Sequence, residues 1–427
     1  MRLIYTVIHY LVMPFVLIRL LWRSRHITGY RKRWSERFGY ITPIAQGNSI
    51  WVHAVSVGET LAAIPLVKSI IQRYSSQFHI IVTTTTPTGS ALVIKHLQNQ
   101  VVHVYSPFDV PTAVSRFLRR SRIKLCVIME TELWPNLLTI CKKQQIPIIL
   151  ANARLSERSS LRYQLIPGLT KHMLSTYHVV AAQGVLDGER YLHLGLDPKK
   201  LVIAGNIKFD LQIPDAFIQQ GKEIKNCIGQ DRRVLIAAST HDGEENIILN
   251  AFQKIHQEIP NLFLILAPRH PDRFQKVADL CRQTRFKLST RSHQEPINQD
   301  TDILLVDTIG ELQMIYAAAD IAFVGGSLVP AGGHNLIEPA ALGLPILTGP
   351  NLLNFIEISK LLQNAGAAQI VTDASSIADA VIALCSAKEL REKIGKCAKE
   401  TIEANRGALQ KHLECIERCL ISDIITA

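Results

Sequence analysis

Two series of short apolar runs, alternating with stretches of helical character, leave this chain few ways to fold. The first series occupies residues 50–55, 80–84, 101–105, 125–129, 146–150 and 178–182. A polar stretch over 210–230 follows, and the second series occupies 234–238, 262–266, 303–306, 321–324 and 345–348. Runs of this length, rich in Val and Ile and separated by helices, read as strands of a parallel sheet covered on both faces. The expectation is therefore an α/β chain of two Rossmann-like, doubly wound domains. In such folds ligands sit beyond the carboxyl ends of the strands, and two facing sheets would place the site in a cleft. A chain of 427 residues is long enough for both domains. The expected segmentation is 1–40 as an apolar and then basic N-terminal segment, 41–209 as the first Rossmann-like domain and 210–230 as linker. Residues 231–390 are expected as the second Rossmann-like domain and 391–427 as C-terminal helices.

The segment Val324-Gly-Gly-Ser-Leu-Val-Pro-Ala-Gly-Gly-His-Asn-Leu-Ile-Glu-Pro339 ends one of these strands. Gly325 and Gly326 break the strand, Gly332 and Gly333 let backbone approach a ligand, and a helix is expected to open at Asn335. Free amides at that helix start suit a phosphate, and Glu338 suits a ribose diol. Alone, the segment fits either a nucleotide site or an ordinary glycine loop.

The N-terminus carries a different signal. No formal charge lies between Leu3 and Ile18, and continuing across Arg19 to Trp22 brings the apolar stretch near the ~20 residues that span a bilayer. Arginines, not the small residues of a cleavage site, come next. From Arg19 to Arg37 seven basic residues stand against one acidic, which is +6 of the chain's formal +11. Lys and Arg beside an apolar helix keep the body on the cytoplasmic side and suit anionic lipid. The other reading is a buried amphipathic helix beside a solvated charge run. Elsewhere the charge is only mildly positive, which gives no support to a nucleic-acid partner. The eight cysteines contain no CxxC pair and read as reduced thiols. His412, Cys415 and Cys419 share a helical face better explained as core than as a metal site.

Residues at strand ends are the candidates for chemistry. Glu59 lies in Ser56-Val-Gly-Glu-Thr60 and Glu130 in Glu130-Thr-Glu-Leu-Trp-Pro135, each just after a strand. Carboxylates so placed can take a proton from a hydroxyl or stabilise positive charge at an anomeric carbon. Singly, Glu59 and Glu132 also fit as helix-start residues favoured by the macrodipole. In the second half Arg269 of Pro268-Arg-His-Pro271 can pair with a phosphate or carboxylate. The backbone at Gly310, within Asp307-Thr-Ile-Gly-Glu-Leu312, can approach a base. Lys208 of Gly205-Asn-Ile-Lys-Phe209 can offset a departing phosphate or a carboxylate. Any one of them can also be a surface charge or a turn residue.

In order along the chain, the segments resemble the Kdo (3-deoxy-D-manno-octulosonic acid) transferases of lipopolysaccharide synthesis. The motifs are Arg37-Phe-Gly39, Trp51-Val-His-Ala-Val-Ser-Val-Gly-Glu59, Glu130-Thr-Glu-Leu-Trp-Pro135, Asn152-Ala-Arg-Leu-Ser156, Gly205-Asn-Ile-Lys-Phe-Asp210, Ala267-Pro-Arg-His-Pro271, Asp307-Thr-Ile-Gly-Glu-Leu312 and the glycine segment through Glu338-Pro339. The resemblance implies a GT-B fold with 1–40 as membrane anchor and basic juxtamembrane segment, 41–209 as acceptor domain and 231–390 as CMP-sugar domain. It implies inverting transfer of Kdo from CMP-Kdo to a lipid A precursor without a bound metal or other cofactor. It implies work at the cytoplasmic face of the inner membrane, against anionic lipids. Glu59 matches the family's general base, and Glu130 and Lys208 match transition-state stabilisers. Pro268, Arg269, Ile309, Gly310, Glu311, Asn335, Leu336, Ile337 and Glu338 match the CMP-binding segments. Ile309 and Ile337 depart from the family pattern only within apolar character. Two other readings stay open: a membrane-associated GT-B transferase of a UDP-sugar, and a non-enzymatic, membrane-tethered nucleotide-binding protein.

Overall fold

The computed structural model describes residues 2–25, 27–293 and 295–425, with side chains to 421. The chain divides into two compact units, Met1–Asp210 with Arg406–Ala427, and Leu211–Asn405. Unit 1 holds seven strands: β1 (Asn48–His53), β2 (Phe78–Thr84), β3 (Val102–Tyr105), β4 (Ile123–Met129), β5 (Ile148–Ala153), β6 (Val179–Ala182) and β7 (Leu201–Ile203). Their order in the sheet is β3-β2-β1-β4-β5-β6-β7, and adjacent strands are parallel. Alternation along each strand feeds both faces. Trp51, Cys126 and Ile128 enter one core, and Ile50, Val52, Leu125 and Val127 enter the other.

Unit 2 repeats the plan with β8 (Val234–Thr240), β9 (Phe263–Pro268), β10 (Leu288–Thr290), β11 (Ile303–Leu305), β12 (Ile321–Val324), β13 (Ile346–Thr348) and β14 (Ala368–Ile370). Its order is β10-β11-β9-β8-β12-β13-β14, again parallel. In each sheet the first strand lies between its successor and a strand reached by a long crossover. The order therefore reverses at β1/β4 and at β8/β12, where the loops above the sheet diverge and leave a crevice.

The observed segmentation departs from the expected one at two places. Residues Asp215–Ile228, within the expected linker, form a helix of unit 2. Gly221 is what allows its approach, because a Cβ there would stand 2.5 Å from Ala317 Cβ and 2.6 Å from the Met314 carbonyl. The expected C-terminal segment is split. Helix Lys388–Ala404 belongs to unit 2, where a Cβ on Gly395 would meet the Gly343 carbonyl at 2.1 Å. Helix Ala408–Ile425 belongs to unit 1 and adds Leu413, Ile416, Cys419 and Leu420 to its core. Three strands also escaped the periodicity reading. Each of β7, β10 and β14 is a three-residue edge strand, too short to show alternation.

The N-terminal helix, Arg2–Arg23, is long and apolar enough to cross a membrane, with no residue fully buried. Part of the basic cluster behind it does not face outward. Arg37 is buried, donates to the Thr85 carbonyl at 2.8 Å and lies over the Tyr105 ring, while Arg33 binds Glu36 and the His103 carbonyl. Arg19, Arg23, Arg25, Arg31 and Lys32 remain exposed.

The return of the chain to unit 1 is fastened by Asp210, whose carboxylate accepts from Gly407 N at 2.6 Å and Leu409 N at 2.5 Å. It thereby caps the last helix from outside that helix's own sequence. Asp210→Ala should lower stability by about 1–2 kcal/mol, the usual loss for a removed cap, and Asp210→Asn by less. Urea unfolding with a reporter in unit 1 checks this, and equal midpoints for Ala and wild type would remove Asp210 as the fastening.

Candidate active site

In unit 1 the switch point between β1 and β4 is lined by carboxylates. Ser56 ends the loop after β1 and caps helix Val57–Tyr74, its Oγ accepting from Glu59 N at 3.2 Å. Glu59 reaches back so that Oε2 accepts from Val55 N at 2.7 Å. This is close to the reciprocal Ser-x-x-Glu arrangement that opens many helices. A carboxylate held this way ordinarily ionises easily. Glu59 does not, for its pKa is pushed up to about 7 by burial, with the charges of Glu132 and Glu130 adding to the rise against the bonds from Val55 and Ser56. Only 7% of its surface is exposed.

Glu130 follows β4 in a left-handed conformation, φ +57°, costly for a residue with a Cβ. Its amide is held by the Ala151 carbonyl at 2.9 Å, and its Oε1 lies 3.9 Å from Lys208 Nζ. Glu132 accepts from Trp134 Nε1, and burial followed by the charge of Glu130 raises its pKa. The structure therefore brings Glu59, Glu130 and Lys208 together and adds Glu132.

Lys208 is positioned by a chain of polar bonds. Asn152, also left-handed at φ +52°, uses Oδ1 to accept from Ile207 N at 3.0 Å. Gln183 donates to the Asn152 carbonyl at 3.0 Å and accepts from Asn206 at 2.9 Å, and Asn206 Oδ1 accepts from Lys208 N at 3.0 Å. At the far end Asn152 N donates to His412 Nε2 at 2.7 Å, while His412 Nδ1 lies 2.7 Å from the Ala408 carbonyl. With Nε2 accepting, Nδ1 carries the proton and the ring is neutral. Burial agrees with that, lowering the pKa of His412.

In unit 2 the corresponding switch point, β8/β12, is organised by Glu244. Its carboxylate is 0% exposed and accepts from four amides: His241 at 2.9 Å, Gly326 at 2.7 Å, Ser327 at 3.0 Å and Leu328 at 2.9 Å. Gly326, the second glycine of the first pair, is thus held by a protein carboxylate, while the Gly325 amide donates to the Ala238 carbonyl at 2.8 Å. The expected helix begins at Ile337, two residues later than anticipated, and Asn335 Oδ1 accepts from the Ile337 amide at 3.1 Å. Glu338 is half-buried and is reached by Gln313 Nε2 at 3.4 Å. Burial raises its pKa, while Gln313, Asn335 and the charge of Arg269 pull the other way. Arg269, just past Pro268 at the end of β9, is exposed, and its amide is held by the Thr240 carbonyl at 3.0 Å. Its charge reaches Glu338 and His334 alike. Leu336 and Ile337 are fully buried core residues, so their side chains are not open to a ligand.

Ile309 is 70% exposed, and Gly310, at φ +93°, has open space where a Cβ would stand. Glu311 turns to Arg291, 3.2 Å away, and to Thr308. Burial pushes its pKa up, but those bonds and the Arg291 charge outweigh it and leave it lowered. Among the described residues no group of three or more His, Cys, Asp or Glu side chains is placed to hold a metal ion.

The family model for 3-deoxy-D-manno-octulosonic-acid transferase (kdotransferase) matches residues 32–211, and that for glycosyl transferases group 1 matches 230–401. The 3-deoxy-D-manno-octulosonic acid transferase of Haemophilus influenzae is 42% identical over 421 residues, covering 97% of this chain and 98% of that protein. The chain belongs to the Kdo transferase family. It is a glycosyltransferase. The Bordetella pertussis protein of the same name is 34% identical over 391 residues, covering 89% of this chain and 90% of that one. The UDP-GlcNAc 2-epimerase of Neisseria meningitidis shares the fold alone, at 14% identity and TM-score 0.58 over 87% of this chain and all of that one. Two Rossmann-like domains of a GT-B-like fold are thus common to proteins of distant sequence.

Glu59 carries a pH signature that depends on its burial. Its folded pKa of about 7 lies above the ordinary 4.5, so the folded state holds the proton more tightly. The stability this contributes is full below pH 4.5 and is lost as pH rises through 7. Glu59→Gln has no such loss. The variant should therefore gain on wild type between these pH values, by roughly 2–3 kcal/mol at pH 8. Denaturation midpoints at pH 5 and pH 8 check this, and a constant difference would mean that the carboxyl is not held protonated.

Proposed function

We propose that the chain transfers Kdo from CMP-Kdo to a phosphorylated glycolipid of the lipid A precursor type, with inversion, at the cytoplasmic face of the inner membrane. The acceptor hydroxyl gives its proton to Glu59 as its oxygen bonds to the anomeric carbon. The bond from that carbon to the phosphate oxygen breaks, and CMP leaves with the electron pair. Lys208, held by Glu130, offsets negative charge on the Kdo carboxylate or the departing phosphate. In unit 2 Arg269 meets the phosphate of CMP and Glu338 the ribose hydroxyls. The open backbone over Ile309, Gly310 and Glu311 takes the base, and Pro268, Asn335, Leu336 and Ile337 hold these groups in place.

The observation that carries this reading is the Glu59 carboxyl. A helix-start glutamate serving stability alone gains from a low pKa, whereas this one is held at about 7 by burial and two further carboxylates. That is the range in which a base can accept a proton near neutrality and release it again. The exposed basic residues behind an apolar helix support a membrane-bound acceptor.

Glu59→Gln should reduce turnover by about 10²–10⁴-fold with donor affinity unchanged. In wild type kcat/KM should rise with pH through about 7, and Glu132→Gln should move that limb to lower pH by removing one of the charges that raises it. Transfer by folded Glu59→Gln at the wild-type rate would end the proposal.

Glu338→Gln should weaken CMP binding by about 1.5–3 kcal/mol, the range for a lost charge-assisted bond. The 2′-deoxy nucleotide should lose far less between the two proteins. Calorimetry giving one affinity for both proteins would place the ribose elsewhere.

A further inference from the structure

The N-terminal helix is more than a tether. Its half-buried residues Tyr5, His9, Met13, Val16 and Leu20 recur at helical spacing, so one side lies along unit 1 over most of its length. The other side exposes Ile4, Leu11, Phe15 and Ile18. The inward side is fastened by polar bonds: Tyr5 OH donates to Asp109 Oδ2 at 2.9 Å, and Thr6 Oγ1 donates to Asn136 Oδ1 at 2.8 Å. Asp109 is itself buried and accepts from Asn136 N at 3.2 Å and Leu137 N at 2.7 Å, at the start of helix Pro135–Lys143. From Tyr5 to Leu20 the helix covers about 24 Å at 1.5 Å per residue. Held to unit 1 at Tyr5 and Thr6 and lining a groove on that unit as far as Val16, this stretch is not free to cross a hydrocarbon core about 30 Å thick.

Between this helix and the loop after β4 runs a groove of about 540 Å³. Val12 and Val16 line it from the helix, with Phe108, Trp134 and Tyr163 opposite, and Glu132 is part of its wall. The wall formed by Thr131, Glu132, Leu133 and Trp134 follows Glu130 directly in the chain, and the charge of Glu132 reaches the Glu59 carboxyl, so the groove lies beside the proposed reacting centre. A volume of this size suits an apolar ligand, and the groove has the N-terminal helix as one wall and Glu132 in another.

We propose that the N-terminal helix lies in the membrane interface along unit 1 and forms one wall of the acceptor site, its groove receiving one acyl chain of the lipid acceptor. This rests on the lipid-acceptor reading given above. The chain in the groove brings the sugar hydroxyl of the same molecule to Glu59, and the outward apolar side of the helix sits among the neighbouring lipids.

The test compares acylated acceptor with its fully deacylated phosphosugar, using full-length protein. Val12→Trp fills the groove, and Tyr5→Phe with Thr6→Val releases the helix from unit 1. Each should lower the kcat/KM preference for acylated over deacylated acceptor by about tenfold, the equivalent of ~1.4 kcal/mol of chain binding. In wild type, acceptor brominated on its acyl chain should quench fluorescence that is absent from Trp134→Phe. An unchanged preference in both variants overturns the proposal. So does equal quenching by brominated phosphatidylethanolamine, which would assign the groove to bulk lipid. If wild type transferred Kdo to neither acceptor, the reading of function would fail, and the quenching would still decide whether the groove holds the acceptor's chain.

Discussion

Reversal of strand order is the constraint on which the rest depends. At β1/β4 and at β8/β12 neighbouring strands send their following loops in opposite directions, because each crossover must be right-handed. Backbone there is not covered by a crossover helix, and its polar groups need other partners. Both units meet this need with buried carboxylates. Glu59 answers the Val55 amide, and Glu244 answers four amides around the β8/β12 crevice. The chemistry of the two units differs because those carboxylates differ in what surrounds them. Glu244 is saturated by donors and shapes a loop, whereas Glu59 has few donors and two acidic neighbours.

Positioning by remote residues follows from the same shortage of covering structure. Lys208 belongs to a short 3₁₀ turn, Ile207–Asp210, which has little rigidity of its own. Its placement comes from Asn152, Gln183 and Asn206, and through Asn152 from His412 on the last helix. Asp210 at the end of that turn caps the same helix. The chain's return to unit 1 therefore sets the geometry of a cation proposed to act at the reacting centre, and a change in the last helix reaches Lys208 without touching it.

The legible part of this fold was the part governed by short-range periodicity. The long central strands announced themselves as apolar runs because both faces are buried, and glycine pairs marked their ends. Glu59 and Glu130 were visible as acids just past those runs. What escaped depends on contacts distant in sequence. Nothing near Asp215 tells that Gly221 will press against Ala317, and His412 meets Asn152 across 260 positions. Glu244 looks like an ordinary acidic helix start, and its four acceptor bonds emerge only when β12 lies beside β8. From sequence Glu132 fits a helix-start residue favoured by the macrodipole. Its signal was the following Trp134, whose indole holds the carboxylate where its charge reaches Glu59.

The arrangement around Glu59 also bears on the proposal that a helix-start residue serves as the base. A capping glutamate with a low pKa is a poor base near neutral pH, because its driving force for accepting a proton is small. Burial alone corrects this at a cost in stability, and a lone buried carboxylate has no reason to stay oriented. Here the Val55 amide and the Ser56 cap fix the orientation, while Glu132 and Glu130 lift the proton affinity that those bonds lower. Orientation and basicity are thereby set by different groups. Each can vary without destroying the other, which neither a free surface glutamate nor a fully saturated one such as Glu244 allows.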